Sequence, residues 1–201
     1  MNISKITAKY GTLLGFSALA CTVISAGIYF LTKSKIDLVI ADQQRELLLQ
    51  VVPQDYFDND LLGSCSKTDN PQIRKLYTAK KGEQLTAYAF ETVAPDGYSG
   101  KISLLVGMTP TGEVLGVRTI EHHETPGLGD KIELRLSNWI LSFNHQQLTQ
   151  QNLSDWAVKK DGGKFDQFAG ATITPRAVVN QVKRAALQML TKPVQPLEPC
   201  Q

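Results

Sequence analysis

The sequence is short of the features that declare most catalytic and nucleic-acid-binding proteins. It has 3 cysteines in 201 residues, with no C-x-x-C pair and no zinc-ligand spacing, which argues against zinc modules and dithiol redox motifs. No P-loop, dinucleotide fingerprint or Ser/His/Asp order is visible, so there is no sign of a nicotinamide site or a hydrolytic triad. An excess of one charge is missing too. Lys plus Arg number 21 against 19 acidic residues, a formal net charge of +2. Two of those cations, Lys5 and Lys9, precede an apolar run, and residues 33–201 carry 19 charges of each sign. A neutral body has no basic face with which to steer a phosphate backbone, so nucleic acid is excluded as a partner. Repeats and low-complexity tracts are absent. With 42% hydrophobic and 20% charged residues, the chain is neither disordered nor fibrous.

What is present begins with Tyr10–Thr32, 23 residues without a charge between Lys9 and Lys33. As a helix it reaches about 34 Å, slightly more than a hydrocarbon core. Gly11, Gly15 and Gly27 suit a membrane span, and Tyr10, Tyr29 and Phe30 sit where aromatic rings suit the interface. A cleaved signal peptide has a shorter apolar region, about 7–15 residues. Ala18-Leu19-Ala20-Cys21 looks like a lipobox with two positions exchanged, yet eleven uncharged, mostly apolar residues follow it. The expectation is an uncleaved single-pass anchor. Residues 1–9 are read as a cytoplasmic N-terminus, 10–32 as the transmembrane helix and 33–53 as a juxtamembrane helix ended by Pro53. Residues 54–192 form one folded domain, and 193–201 a Pro-rich tail. Cys65 and Cys200 stand near opposite ends of the soluble part. A disulfide between them and two free buried thiols both remain open, because spacing alone does not decide.

Within the domain, strand-like stretches at Gln84–Val93, Lys101–Val106 and Glu113–Ile120 are separated by turn residues, which predicts an antiparallel meander. Trp156–Val158 reads as a short strand. Apolar spacing predicts helices over Lys131–Phe143, capped by Asp130, and over Pro175–Leu190, capped by Thr174 with Pro175 in the first position. The fold class is therefore α+β, an antiparallel sheet with packed helices behind one N-terminal transmembrane helix.

Two segments hold Gly and Thr where a core would prefer bulk: His122–Asp130 and Asp161–Thr174. The second leads into a helix start, where free N–H groups and the helix dipole favour an anion, above all a phosphate. A plain N-cap turn reads from the same residues. His122 and His123 point to opposite sides of an extended segment and do not make a metal pair.

Asp166-Gln167-Phe168-Ala169-Gly170-Ala171-Thr172 resembles the flavinylation motif D-x-x-[S/T]-G-A-T of FMN-binding domains. Glu124-Thr125-Pro126-Gly127-Leu128-Gly129 is similar to the second signature of that family, and Pro95–Gly100 to a third turn. Together with the anchor and the length, these motifs resemble the G subunits of Rnf/Rsx-type ion-translocating electron-transport complexes, more distantly the C subunits of sodium-pumping NADH:quinone reductases. The resemblance implies an FMN-binding domain over 54–192, with FMN held covalently through a phosphoester on Thr172. Asp166, Gly170, Ala171, Glu124, Thr125, Gly127, Leu128 and Gly129 are the implied cofactor-binding residues. Lys159, Lys160 or Lys164 would balance the phosphodiester. It further implies a flavin transferase, redox and membrane subunits as partners, and a bacterial inner-membrane location with the domain in the periplasm. Electrons would be relayed for ion translocation, and in an Rsx-type setting a redox-sensing transcription factor would be kept reduced. Ala169 departs from the motif, where Ser or Thr is usual. A periplasmic flavin reductase domain and an assembly subunit without flavin are the alternatives.

Overall fold

The computed structural model describes residues 3–192 and 194–200. Residues 1 and 2 of the expected N-terminal segment, and 193 and 201 of the expected tail, lie outside the described residues. The chain divides into two compact units, residues 1–43 and residues 44–201.

The first unit is helical and belongs to α1 (Ile3–Val51), which is long and apolar enough to cross a membrane. Its large side chains are exposed all round: Leu13, Phe16, Val23, Ile28 and Leu31 are each more than half exposed. Such a surface suits lipid rather than water. The hydroxyls of Thr12, Ser17, Thr22 and Thr32 donate to carbonyls three or four residues back, which satisfies them where no water is available.

The second unit starts with the last turns of α1 and continues into a six-stranded antiparallel sheet in chain order. The strands are β1 (Ser66–Lys67), β2 (Lys75–Lys81), β3 (Gln84–Gly97), β4 (Gly100–Met108), β5 (Glu113–Glu121) and β6 (Gln146–Gln147). β3 pairs with β4 from Tyr88↔Met108 to Ala94↔Ile102, and the hairpin closes at Gly97↔Gly100. Alternation along the strands sends side chains to two faces, and both are buried. Phe90, Ala94, Ile102, Leu104 and Val106 join a core covered by α2 (Ile173–Thr191) through Ala177, Val178, Val182 and Ala186. Burying a Val or Met side chain fully stabilises by about 1.5–3 kcal/mol relative to exposure, so this face dominates. Gln181 is buried on α2, and its Nε2 donates to Thr92 Oγ1 at 2.6 Å and to Gln72 Oε1 at 3.0 Å.

Tyr77, Ala79, Ala87, Ala89 and Leu105 face the other way, against Leu48, Val51 and Val52 at the end of α1. This contact depends on Gly107 and Gly116, which pair directly across β4 and β5. A Cβ at Gly107 would lie 2.0 Å from the Val51 carbonyl oxygen, and one at Gly116 would lie 3.0 Å from that of Gln50. The glycine pair makes the shallow seat on which the helix end rests.

Three expectations need correction. Lys131–Phe143 is not one α-helix but two 3₁₀ turns, Gly129–Ile132 and Asn138–Phe143. Ser137 is extended and accepts from Trp139 N–H at 3.1 Å, starting the second turn afresh, while Asp130 caps nothing. Trp156–Val158 is no strand; Val158 makes only an isolated parallel bridge to Phe165. α2 starts at Ile173, so Thr174 lies inside its first turn and does not cap it.

The C-terminal tail closes the sheet edge beside β1. Lys67 N–H donates to Glu198 O at 2.7 Å and Leu197 N–H to Lys67 O at 3.1 Å. A disulfide joins Cys65 to Cys200 across 135 residues. In the chain-entropy description, a loop of that size limits the unfolded chain by about 5 kcal/mol.

The helix seat gives a direct test. Gly107→Ala forces its methyl group into the Val51 carbonyl and should destabilise the folded domain by about 1–3 kcal/mol. Gly11→Ala, with nothing within 4 Å of the added carbon, should leave the melting temperature of the detergent-solubilised chain unchanged.

Candidate functional site

Three loops that are far apart in sequence meet at the N-terminus of α2. One is the β3–β4 hairpin at Tyr98 and Ser99, the second is Glu124–Gly129, and the third is the turn Phe168–Ala171 that leads into the helix. They enclose a pocket of about 220 Å³ lined by Tyr98, Glu124, Thr125, Leu128, Gly129 and the run from Gly170 to Thr174.

Glu124 holds the loops together. It is only 4% exposed. Its Oε2 accepts from Thr174 Oγ1 at 2.5 Å, and its Oε1 accepts from Ser99 N–H at 3.1 Å. The carboxylate therefore bonds one donor from the helix and one from the hairpin, which offsets much of the cost of burying it. Gly129 permits this, because a Cβ there would lie 2.8 Å from Thr174 Oγ1 and 2.9 Å from Glu124 Oε2. The loop is steadied from behind by His122. Its Nδ1 accepts from Glu124 N–H at 3.0 Å, which leaves Nε2 to donate to Glu133 Oε1 at 2.7 Å. His123 is exposed.

The turn before α2 is shaped by Gly170, at φ +81°, a left-handed conformation open to glycine without strain. Ala171 N–H donates to Phe168 O at 3.2 Å across it. Ala169, the departure from the flavinylation motif, is exposed at the tip of the turn. Thr172 immediately precedes the helix, and its hydroxyl makes no capping bond. The first N–H groups of a helix have no intrahelical acceptor, and Pro175 contributes none. A half-buried free hydroxyl thus stands beside unsatisfied donors and the positive end of a 19-residue helix.

Of the expected residues, Glu124, Thr125, Leu128, Gly129, Gly170, Ala171 and Thr172 line the pocket. Gly127 and Asp166 do not. Gly127 bends its loop at φ +77°. The Asp166 carboxylate points outward, 70% exposed, and pairs with Lys159 Nζ at 2.5 Å. Its carbonyl accepts from Trp139 Nε1 at 2.8 Å, and Trp139 packs edge-on against Phe168, so this residue fixes the turn from outside. None of Lys159, Lys160 and Lys164 lines the pocket either. Lys164 Nζ donates to Gln146 Oε1 at 2.6 Å and lies over the Trp156 ring, where burial lowers its pKa. Nearby, the Arg176 guanidinium bonds the exposed Asp161 carboxyl and holds it below the usual carboxylate range. Sequence reasoning missed Tyr98, Ile173 and Thr174 as lining residues. Tyr98 and Ile173 are 67% and 44% exposed, forming an apolar rim that only the meeting of the loops reveals.

The pocket is smaller than the roughly 300–1,000 Å³ that encloses a whole drug-sized ligand. With an apolar rim at Tyr98, Leu128 and Ile173, it has room for part of a mononucleotide and not for all of it. The donor set at the helix start matches an anion, and both oxygens of Glu124 already face donors of the protein.

Residues 97–187 match the family described as FMN-binding domain, and residues 1–51 match the RnfG N-terminal region. The pocket and the apolar helix thus belong to a membrane-anchored protein with an FMN-binding domain. The chain is 70% identical to the G subunit of the ion-translocating oxidoreductase complex of Haemophilus influenzae strain PittEE, over 94% of this chain and 93% of that one. Identity to the Pasteurella multocida protein of the same name is 64%, covering 94% and 96%. The chain belongs to the G-subunit family of ion-translocating oxidoreductase complexes. Among solved structures, Shewanella oneidensis NqrC aligns with a TM-score of 0.46 at 18% identity, over 71% of this chain and 72% of that one.

Thr174→Val removes the donor to Glu124 and leaves a buried carboxylate oxygen unpaired. Thermal unfolding should show a loss of about 1–3 kcal/mol, and Thr174→Ser should restore most of it.

Proposed function

We propose that this subunit carries FMN covalently on Thr172, through a phosphoester, and relays electrons within its complex from the periplasmic side of the inner membrane. The observation that carries this reading is the free Thr172 hydroxyl at the start of α2, at the edge of a pocket built from all three family-like loops. A threonine that served only as a cap would place its oxygen on the helix N–H groups; this one does not.

FMN, when bound, takes up and releases electrons singly or in pairs. The protein's residues hold and shape the site for it. The N–H groups at the start of α2 would receive the phosphate oxygens, and the helix dipole would favour the negative charge that remains after esterification. Gly129 and Gly170 keep side chains out of the pocket, while Leu128, Ile173 and Tyr98 offer apolar contact to a ring at its mouth. An apolar rim open to solvent would leave a bound flavin accessible to other proteins, which suits exchange of electrons with them. In this reading the subunit acts as an electron carrier within its complex. A dedicated flavin transferase would make the bond, and the exposed residues Ala169 and Gly170 of the turn beside Thr172 are open to it. In an Rsx-type setting the same relay would keep a redox-sensing transcription factor reduced.

The zero net charge of residues 33–201 places no obstacle to export of the domain. A covalent link keeps the cofactor from being lost outside the cytoplasm. Intact mass of the chain produced with its transferase should exceed the unmodified mass by about 438 Da, FMN less one water. Thr172→Ala should abolish both the increment and the yellow colour. An unmodified mass in the presence of an active transferase would overturn the proposal.

A further inference from the structure

Arg118 is a buried charge without an anion. It lies on β5 in an otherwise apolar run and is 7% exposed. Its Nε donates to Gln50 Oε1 at 2.9 Å and its Nη1 to the Val117 carbonyl at 2.7 Å, both neutral acceptors. Among the described residues no carboxylate pairs with it. Burial lowers its pKa, but a guanidinium stays protonated in proteins. A buried cation left in this state is costly until an anion reaches it.

Arg118 lines a groove of about 620 Å³ between the last turns of α1 and the turn Glu133–Arg135 that follows the 3₁₀ segment Gly129–Ile132, on a different set of residues from the pocket at Thr172. Leu47, Ile120 and Leu134 give the groove apolar walls, and Ile120 is 41% exposed. The other charges in it are Glu121, Glu133, Arg135 and, if protonated, His122. Glu133 is already bound by Arg135 and His122, and the Arg135 guanidinium holds its carboxyl below the usual range.

We propose that the Arg118 groove seats an aspartate or glutamate side chain of a neighbouring subunit in the oxidoreductase complex, flanked by apolar residues of the same segment. The proposal rests on membership of the G-subunit family and not on flavin attachment. Charge complementarity selects the occupant. The N–H groups of Arg118 not used by Gln50 and Val117 form a fork that matches one carboxylate. A phosphate headgroup would bring more negative charge toward Glu121 and Glu133 in the same groove. The neutral body of the domain has no general attraction for an anionic lipid surface either.

Gln50 supplies the decisive variant, because Gln50→Glu is isosteric, sits at an exposed residue and provides an internal carboxylate to the same guanidinium. Membranes carrying the whole complex would be prepared with a photo-crosslinking amino acid at Leu134. The crosslinked peptide would be identified by mass spectrometry, and the flavin mass increment read in parallel on the same chain. The expected result is a crosslink to a peptide of another subunit that contains Asp or Glu. It should be reduced at least tenfold by Gln50→Glu and by Arg118→Met and partly kept by Arg118→Lys, with the flavin increment unchanged. A crosslink to lipid only, to no other subunit, or to a segment without an acidic residue would overturn the proposal. So would a crosslink unaffected by Gln50→Glu, which also decides the matter if the Arg118 variants do not fold.

Discussion

The buried carboxylate of Glu124 is the constraint on which the site depends. A charge at 4% exposure has to be surrounded by donors, and the donors come from two places far apart in the chain: the Ser99 amide on the hairpin and the Thr174 hydroxyl on α2. Satisfying that single group fixes the distance between the hairpin and the helix, and ties Glu124's own loop to both. The pocket is the space left over when these three pieces are drawn together, with Gly129 leaving room for the carboxylate. His122 extends the arrangement outward to Glu133. The hydrogen bonds that shape the candidate flavin site therefore run without a break to the edge of the Arg118 groove.

A second constraint acts on the opposite face of the sheet. A meander of six strands covered on one side only would expose half its surface to water. Here α2 covers one face and the end of α1 covers the other, the latter only because Gly107 and Gly116 remove two side chains from the contact. The helix that contains the apolar span is thus also part of the domain's core through Leu48 and Val51.

Much of this was legible in the sequence, and what was not has physical reasons. The long uncharged run, the three central strands and the helix beginning near Pro175 declare themselves by periodicity and turn residues. Thr172, Gly170 and Ala171 are visible because helix-start chemistry is local. The role of Thr174 was hidden, since its partner is Glu124, 50 positions earlier, and a threonine before a proline reads as a cap. Asp166 stands in the motif, but its carboxylate pairs with Lys159 and its carbonyl accepts from Trp139 Nε1, contacts that the motif alone does not reveal. Lys131–Phe143 has apolar spacing that a helix and two 3₁₀ turns satisfy equally, and Ser137 decides between them. β2 was obscured by its lysines at both ends, although its centre is buried. Arg118 left a faint signal, a lone charge among apolar residues of β5, with no hint of where it would point.

The disulfide between Cys65 and Cys200 orders events in the life of the chain. Cys200 lies beyond α2, so the ring cannot close until the helix that carries Thr172 at its start has been made. Until then β1 lacks its tail partner and the sheet has an open edge, which is the kind of edge that recruits other chains. A polypeptide cut short anywhere between α2 and residue 200 would keep a free thiol at Cys65. Cys65 is then distinguished from its bonded state in the longer chain, while Cys21 is free in both.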